Sequence, residues 1–187
     1  MKNVSLSPLA VTLALAAGLA LTATAASLNA GDPAPKLHTG KFVQGDPVTE
    51  FAPGKAYIVE FWATWCGPCR EALPHLRDVA QKFQDQPFVV LSVSLDSDDA
   101  KWKDFVNKNN MTWLQYRDGK WTGPIATQFD VKAIPATFSI DTDGVLEDQH
   151  VGDADIERKL KKMIAHAVEE QNSKPAAPPA QLGSGGN

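Results

Sequence analysis

The chain has 187 residues, the size of one domain or of one domain with appendages, and its 43% hydrophobic and 21% charged residues suit a globular protein rather than a fibrous or wholly disordered one. Lys plus Arg is 18 against 22 for Asp plus Glu, a net charge of −4 with no basic block, which argues against a nucleic-acid partner because phosphate binding needs a basic face. The only cysteines, Cys66 and Cys69, are too few for a disulfide framework or a four-thiolate zinc site, so whatever they do they do as a pair.

Residues 1–26 read as a secretory signal peptide. Lys2 lies in a short n-region, Leu9 to Leu21 form an apolar run, and Ala23, Thr24, Ala25 and Ala26 supply an A-x-A cleavage site, with the cut after Ala25 or Ala26. The run is shorter than the roughly 20 residues that span a bilayer, which favours cleavage over an uncleaved anchor. The mature chain is therefore expected to be periplasmic or secreted, with an N-terminally membrane-anchored form as the alternative.

Residues 27–171 carry the pattern of one folded domain. Tyr57 to Phe61 and Phe88 to Leu95 are β-rich runs, the second long and apolar enough for a buried central strand. Between them Leu73, Leu76, Ala80 and Phe83 recur at steps of three and four, which predicts a helix. Trp102, Phe105 and Val106 suggest a second helix, entered after an acidic turn from Asp96 to Asp99 that is expected to be solvated. A short strand near Trp113 to Tyr116, a helical turn near Ile125 to Phe129 and a strand from Ala136 to Ile140 follow. Asp141-Thr142-Asp143-Gly144 predicts a hairpin turn into Val145 to Val151. Asp141 and Asp143 also resemble part of a calcium loop, but the acid twelve positions in is missing, so a turn is the better reading. Asp153 is expected to cap a final helix with Ile156, Leu160, Ile164 and Val168 on one face. The order βαβ, hairpin, helix predicts an α/β fold with a central mixed sheet flanked by helices. Residues 172–187, rich in Pro and Gly, are expected to be a disordered tail.

The two cysteines stand three apart, directly after a predicted strand and at the start of a predicted helix. A thiol at a helix N-terminus faces unpaired N–H groups and the positive end of the helix dipole, so its thiolate is favoured. By this argument Cys66 is the nucleophile. Pro68 suits the first turn, where its missing N–H costs nothing, and Cys69, one turn inside, can attack a mixed disulfide on Cys66. As a structural staple the pair would do little: a loop of four residues contributes about 2 kcal/mol in the chain-entropy model, against about 4.7 for a loop of 100. Zinc would need two more ligands, and His38, His75, His150 and His166 lack finger spacing. A c-type haem would need His where Arg70 stands. Redox chemistry is the strongest reading, with the disulfide itself as the redox group, no other cofactor and no metal.

The stretch Glu60-Phe61-Trp62-Ala63-Thr64-Trp65-Cys66-Gly67-Pro68-Cys69-Arg70, with Pro74 beyond it, resembles a thioredoxin-fold protein, and most closely the secreted TlpA/ResA-like thiol:disulfide reductases, or redoxin-domain proteins. Gly31-Asp32-Pro33-Ala34-Pro35 looks like that family's opening, and Ile134-Pro135-Ala136-Thr137-Phe138 resembles its cis-proline strand. The similarity covers roughly residues 30 to 168. The resemblance implies a thioredoxin-like fold in which Pro135 is cis and lies against the cysteine pair, with the backbone of Ile134 offered to an extended substrate chain. Trp65, Gly67, Pro68, Ile134 and Pro135 are thus the expected substrate-contacting residues.

Glu60 shares a strand face with Ile58 and Trp62, so burial should raise its pKa. It stands where thioredoxin has its buried acid and could take the proton from Cys69, through a water, as that thiol attacks. TlpA-like chains usually carry Glu three residues after the second cysteine; here that position is Ala72 and the acid is Glu71, about 100° further round the helix. Trp65 is expected to form an apolar rim beside Cys66, Trp62 to be core, and Trp102, Trp113 and Trp121 to be packing residues. His75 reads as a surface helix residue, and Pro74 should bend its helix.

The leading functional expectation is a monomeric extracytoplasmic thiol:disulfide oxidoreductase, tilted by the resemblance toward reduction of protein disulfides, since the Gly-Pro between the cysteines resembles the reducing thioredoxin active site. In an oxidising compartment such a reductase needs a membrane electron donor. A thiol peroxidase is the first alternative, but its site wants Thr and Pro three and seven residues before the reacting Cys, where Ala63 and Val59 stand. A secreted metallochaperone of thioredoxin fold would space its cysteines four apart. A docking module with a vestigial pair is the last. Apocytochrome c, an outer-membrane protein and general quality control all fit as substrates, and the residues choose none.

Overall fold

In a computed structural model, which describes residues 27–37, 41–152 and 156–173, the β-branched and aromatic runs become strands of one sheet. The described elements are β1 (Lys41–Gln44), β2 (Ala56–Trp62), α1 (Gly67–Lys82), β3 (Phe88–Ser94), α2 (Asp99–Lys108), β4 (Leu114–Arg117), α3 (Pro124–Gln128), β5 (Ala136–Ile140), β6 (Leu146–Val151) and α4 (Ile156–Ser173). The strands lie in the order β1-β4-β3-β2-β5-β6. β2, β3 and β4 are parallel, while β1, β5 and β6 each pair antiparallel. Parallel neighbours need a crossover, and α1 and α2 provide it. β5 and β6 need only a turn: Asp141 Oδ1 accepts from the N–H groups of Asp143 and Val145, and Gly144 takes φ +77.

β2 is central, and all seven of its residues are buried. Its two faces meet different partners. Phe61 packs against Phe129 and Phe138, whereas Trp62 packs against Phe105 of α2. Helices therefore cover both faces, and the mixed sheet they flank is the thioredoxin-like arrangement that the resemblance implies. Met163, Ile164 and Ala167 of α4 are buried, and α4 packs on β2. α1 continues through Pro74, with Leu73, Leu76 and Val79 on its buried side. The Gly31 to Pro35 opening lies along the hairpin: Gly31 N–H donates to Leu146 O, Leu146 N–H donates to Asp32 O, and Pro33 bridges Val145.

Two features of the order differ from expectation. β1 has no counterpart in the predicted elements, because four residues pairing on a sheet edge leave too short a pattern to read. α4 runs two residues past the boundary placed at 171, to Ser173. The proposed signal peptide, the Asp153 cap and residues 174–187 lie outside the described residues. No helix among the described residues is long and apolar enough to cross a membrane.

Candidate active site

The chain leaves β2 at Trp62, turns through Ala63, Thr64 and Trp65, and enters α1 at Cys66. Cys66 is the N-cap of that helix, with extended backbone, and its Sγ accepts the N–H of Cys69 at 3.2 Å. Pro68 falls in the first turn, where no N–H is needed. Cys66 and Cys69 form a disulfide with Cα atoms 5.3 Å apart. Cys69 is fully buried, while Cys66 keeps 6% of its surface, so an approaching sulfur meets Cys66 first. The helix end that donates to Cys66 Sγ would favour the thiolate once the pair is reduced.

The Ile134–Pro135 peptide bond is cis, and the Ile134 carbonyl oxygen lies 3.9 Å from Cys66 Sγ. Residues 68 positions apart are thus brought together at one end of the sheet, where β2 leads into the cysteines and β5 begins. Pro68 is exposed and Gly67 half-buried at the helix start. Trp65 stands beside them, 58% exposed. It is accompanied by Trp121, whose ring centroid is 6.4 Å away and whose exposure is 41%. Trp121 therefore does not pack in the core as expected. Trp62, Trp102 and Trp113 do.

Glu60 sits in the middle of β2, in register with Ser92 on one side and Thr137 on the other. It is 3% exposed, and no ion pair reaches it among the described residues. Burial pushes its carboxyl up to about 7, against the opposing effect of a hydrogen bond from Ser92 Oγ to Oε2 at 2.8 Å. Ser92 Oγ in turn accepts the indole N–H of Trp113 at 2.8 Å, which leaves the hydroxyl proton aimed at the carboxyl.

The acidic turn differs from expectation at its first residue. Asp96 is not solvated but 3% exposed. Its carboxylate accepts from Thr64 N–H at 2.9 Å, from Thr64 Oγ1 at 2.6 Å and from Ser94 Oγ at 2.6 Å. A carboxylate bound by three donors is well compensated for burial, and two of the donors here belong to Thr64, in the turn that delivers Cys66. Asp98 behaves as expected and caps α2 through Ala100 and Lys101. Among the described residues no group of three His, Cys, Asp or Glu could hold a metal ion. Glu71 and His75 are exposed on α1.

Comparison with known proteins agrees with this geometry. The thiol-disulfide oxidoreductase ResA of Bacillus thuringiensis (strain Al Hakam) is 30% identical over 113 residues, covering 59% of this chain and 64% of ResA. This chain thus matches somewhat less than two thirds of that relative's length. A solved protein of Chlorobium tepidum, described as a thiol:disulfide interchange protein DsbE, is 30% identical with a TM-score of 0.63, over 76% of this chain and 99% of that one. The C-terminal domain of a protein described as a thiol-disulfide oxidoreductase, from Bacteroides thetaiotaomicron, shares the fold at a TM-score of 0.67 and 23% identity, over 75% and 99% of the two chains. The AhpC/TSA family pattern matches residues 30–149, from the opening segment through the cysteines and the cis-proline into β6, and the chain belongs to that family.

Proposed function

We propose that this protein is an extracytoplasmic thiol:disulfide oxidoreductase that works as a reductase of protein disulfides. The observation that carries the reading is the Cys66 sulfur at the N-terminus of α1, bonded to the Cys69 N–H and 3.9 Å from the Ile134 carbonyl, with its partner sulfur fully buried behind it. Relatives named as thiol-disulfide oxidoreductases support it.

In the reduced protein the Cys66 thiolate attacks one sulfur of the partner's disulfide. A Cys66–partner bond forms, the partner's own S–S bond breaks, and the departing thiolate takes a proton. Cys69 then attacks Cys66 Sγ, expels the partner's second thiol and closes the Cys66–Cys69 disulfide. Two electrons have moved to the partner. The Cys69 thiol must lose its proton as it attacks, and Glu60, with a carboxyl near neutral pKa, is the acceptor in this scheme, through a water. Trp65, Gly67, Pro68, Ile134 and Pro135 contact the partner chain, the Ile134 backbone as a strand-like neighbour. The protein acts as a monomer without a further cofactor, and a membrane electron donor restores the thiols after the signal peptide has directed the chain across the membrane.

The peroxidase alternative finds no hydroxyl at residue 63, and the neighbouring Thr64 hydroxyl is taken up by Asp96. An insulin-reduction assay with wild type and Cys66→Ser tests the oxidoreductase reading: turnover by wild type alone supports it, and no turnover contradicts it. The direction is tested by the reduction potential. A value near thioredoxin's, about −270 mV, agrees with a reductase, whereas one near DsbA's, about −120 mV, contradicts it.

A further inference from the structure

Among the described residues three large apolar side chains are exposed, Trp65, Trp121 and Val151, and all three belong to the end of the sheet that holds the disulfide. Trp65 precedes Cys66. Val151 pairs with Ala136, the residue after the cis-proline, and the next N–H, of Gly152, donates to Pro135 O. Trp121 comes from the segment between β4 and α3, far from the cysteines in sequence, and meets Trp65 with the ring planes at 50°. Exposed apolar side chains gathered at one place mark a contact surface, whereas the same residues scattered would mean little.

The two tryptophans are held where they are. The N–H of Asp118 donates to Ser94 O at 2.8 Å, and the Asp118 carboxylate accepts from the N–H groups of Ile125 and Ala126. Gly123 closes the segment through its N–H to Lys120 O, and a Cβ built at Gly123 would overlap the Asp118 carboxylate. The turn carrying Trp65 is fixed to Asp96 through Thr64, and Asp96 is fixed to Ser94. The end of β3 thus anchors both tryptophan-bearing segments. A prearranged aromatic surface loses little freedom when it is covered.

We propose that Trp121 and Trp65 form a shelf that seats an apolar side chain adjacent to the partner's cysteine, so that the protein prefers polypeptide disulfides flanked by aromatic or aliphatic residues. The proposal rests on the oxidoreductase reading. The occupant follows from that chemistry: attack by Cys66 ties the partner's cysteine to Cys66 Sγ, and the residue before Cys66 is one half of the shelf, so the partner's neighbouring side chain falls on the aromatic pair. Small, charged disulfides such as oxidised glutathione carry no apolar side chain to fill it. Trp121 is the specificity-determining residue that the family motif does not contain.

The test compares the reduced full-length mature protein on two disulfide peptides that differ only in the residue beside the cysteine, Leu in one and Ser in the other, with oxidised glutathione as a third substrate. The expected result is a kcat/KM for the Leu peptide about tenfold or more above the Ser peptide, expressed mainly in KM, with glutathione slowest. Trp121→Ala is expected to narrow that preference to under about threefold without moving the reduction potential, and Trp121→Phe to restore most of it. Equal rates on the two peptides, or an equal loss on both in Trp121→Ala, would overturn the shelf while leaving the oxidoreductase reading intact. Failure to reduce any disulfide, insulin included, would overturn both.

Discussion

Two buried acids belong to the central strands or their ends, and they are set up differently. Glu60 and Asp96 are each 3% exposed; Glu60 lies within β2, and Asp96 follows the end of its parallel neighbour β3. Asp96 accepts three hydrogen bonds, from both polar groups of Thr64 and from Ser94, and so fixes the turn before Cys66. Glu60 accepts one, from Ser92, and its carboxyl is pushed up to about 7 by burial. Three hydrogen bonds make Asp96 a clamp on the turn before Cys66, whereas burial with a single donor raises the Glu60 carboxyl toward neutral pH.

The largest expected effect falls on the clamp. Asp96→Ala leaves the Thr64 N–H and the hydroxyls of Thr64 and Ser94 without their acceptor, and unfolding stability in urea should drop by about 4 kcal/mol. Because the turn also aims Cys66, insulin reduction should fall about tenfold or more. A loss below about 1 kcal/mol would mean that Asp96 is not the clamp.

Glu60 should show itself through pH. Below about pH 4.5 both folded and unfolded chains hold its proton, so stability does not vary with pH through this group. Between that value and about 7 the unfolded chain releases the proton while the folded chain retains it, so stability falls as pH rises, by about 3 kcal/mol in all, and then levels off. Glu60→Gln should remove this fall. Urea unfolding of the oxidised proteins from pH 4 to 8 measures it without interference from thiol titration, and parallel pH curves for the two proteins would contradict the assignment.

Ser92→Ala sharpens the comparison from the donor side. Ser92 supplies the hydrogen bond that opposes the effect of burial, so its loss should move the pH at which Glu60 ionises upward and cost about 1 to 2 kcal/mol. A downward movement would contradict the direction of that hydrogen bond. The smallest effect belongs outside both regions: Lys108→Ala breaks an exposed i,i+4 pair with Asp104 and should change stability by less than about 0.5 kcal/mol.

Much of the molecule was readable from local pattern. The cysteine spacing, the strand before it and the 3.6-residue recurrence after it placed the pair at a helix start, and alternation along β2 put Glu60 on a face with Ile58 and Trp62. What escaped reading depended on contacts distant in sequence. Asp96 in an acidic turn looks solvated until Thr64, 32 residues earlier, is seen to bond it. Trp121 looks like a core residue until its anchored loop carries it outward to Trp65. β1 is an edge strand defined by its partner β4 rather than by its own four residues. The cis bond at Pro135 came only through family resemblance, since residue chemistry does not determine it.

The central claim is that Cys66 attacks and Cys69 resolves, and it is tested most directly by trapping. Cys69→Ser, incubated with a disulfide-bonded peptide and analysed by mass spectrometry, should accumulate a mixed disulfide on Cys66, whereas Cys66→Ser should accumulate none. A mixed disulfide on Cys69 in the Cys66→Ser protein, with none in Cys69→Ser, would contradict the account.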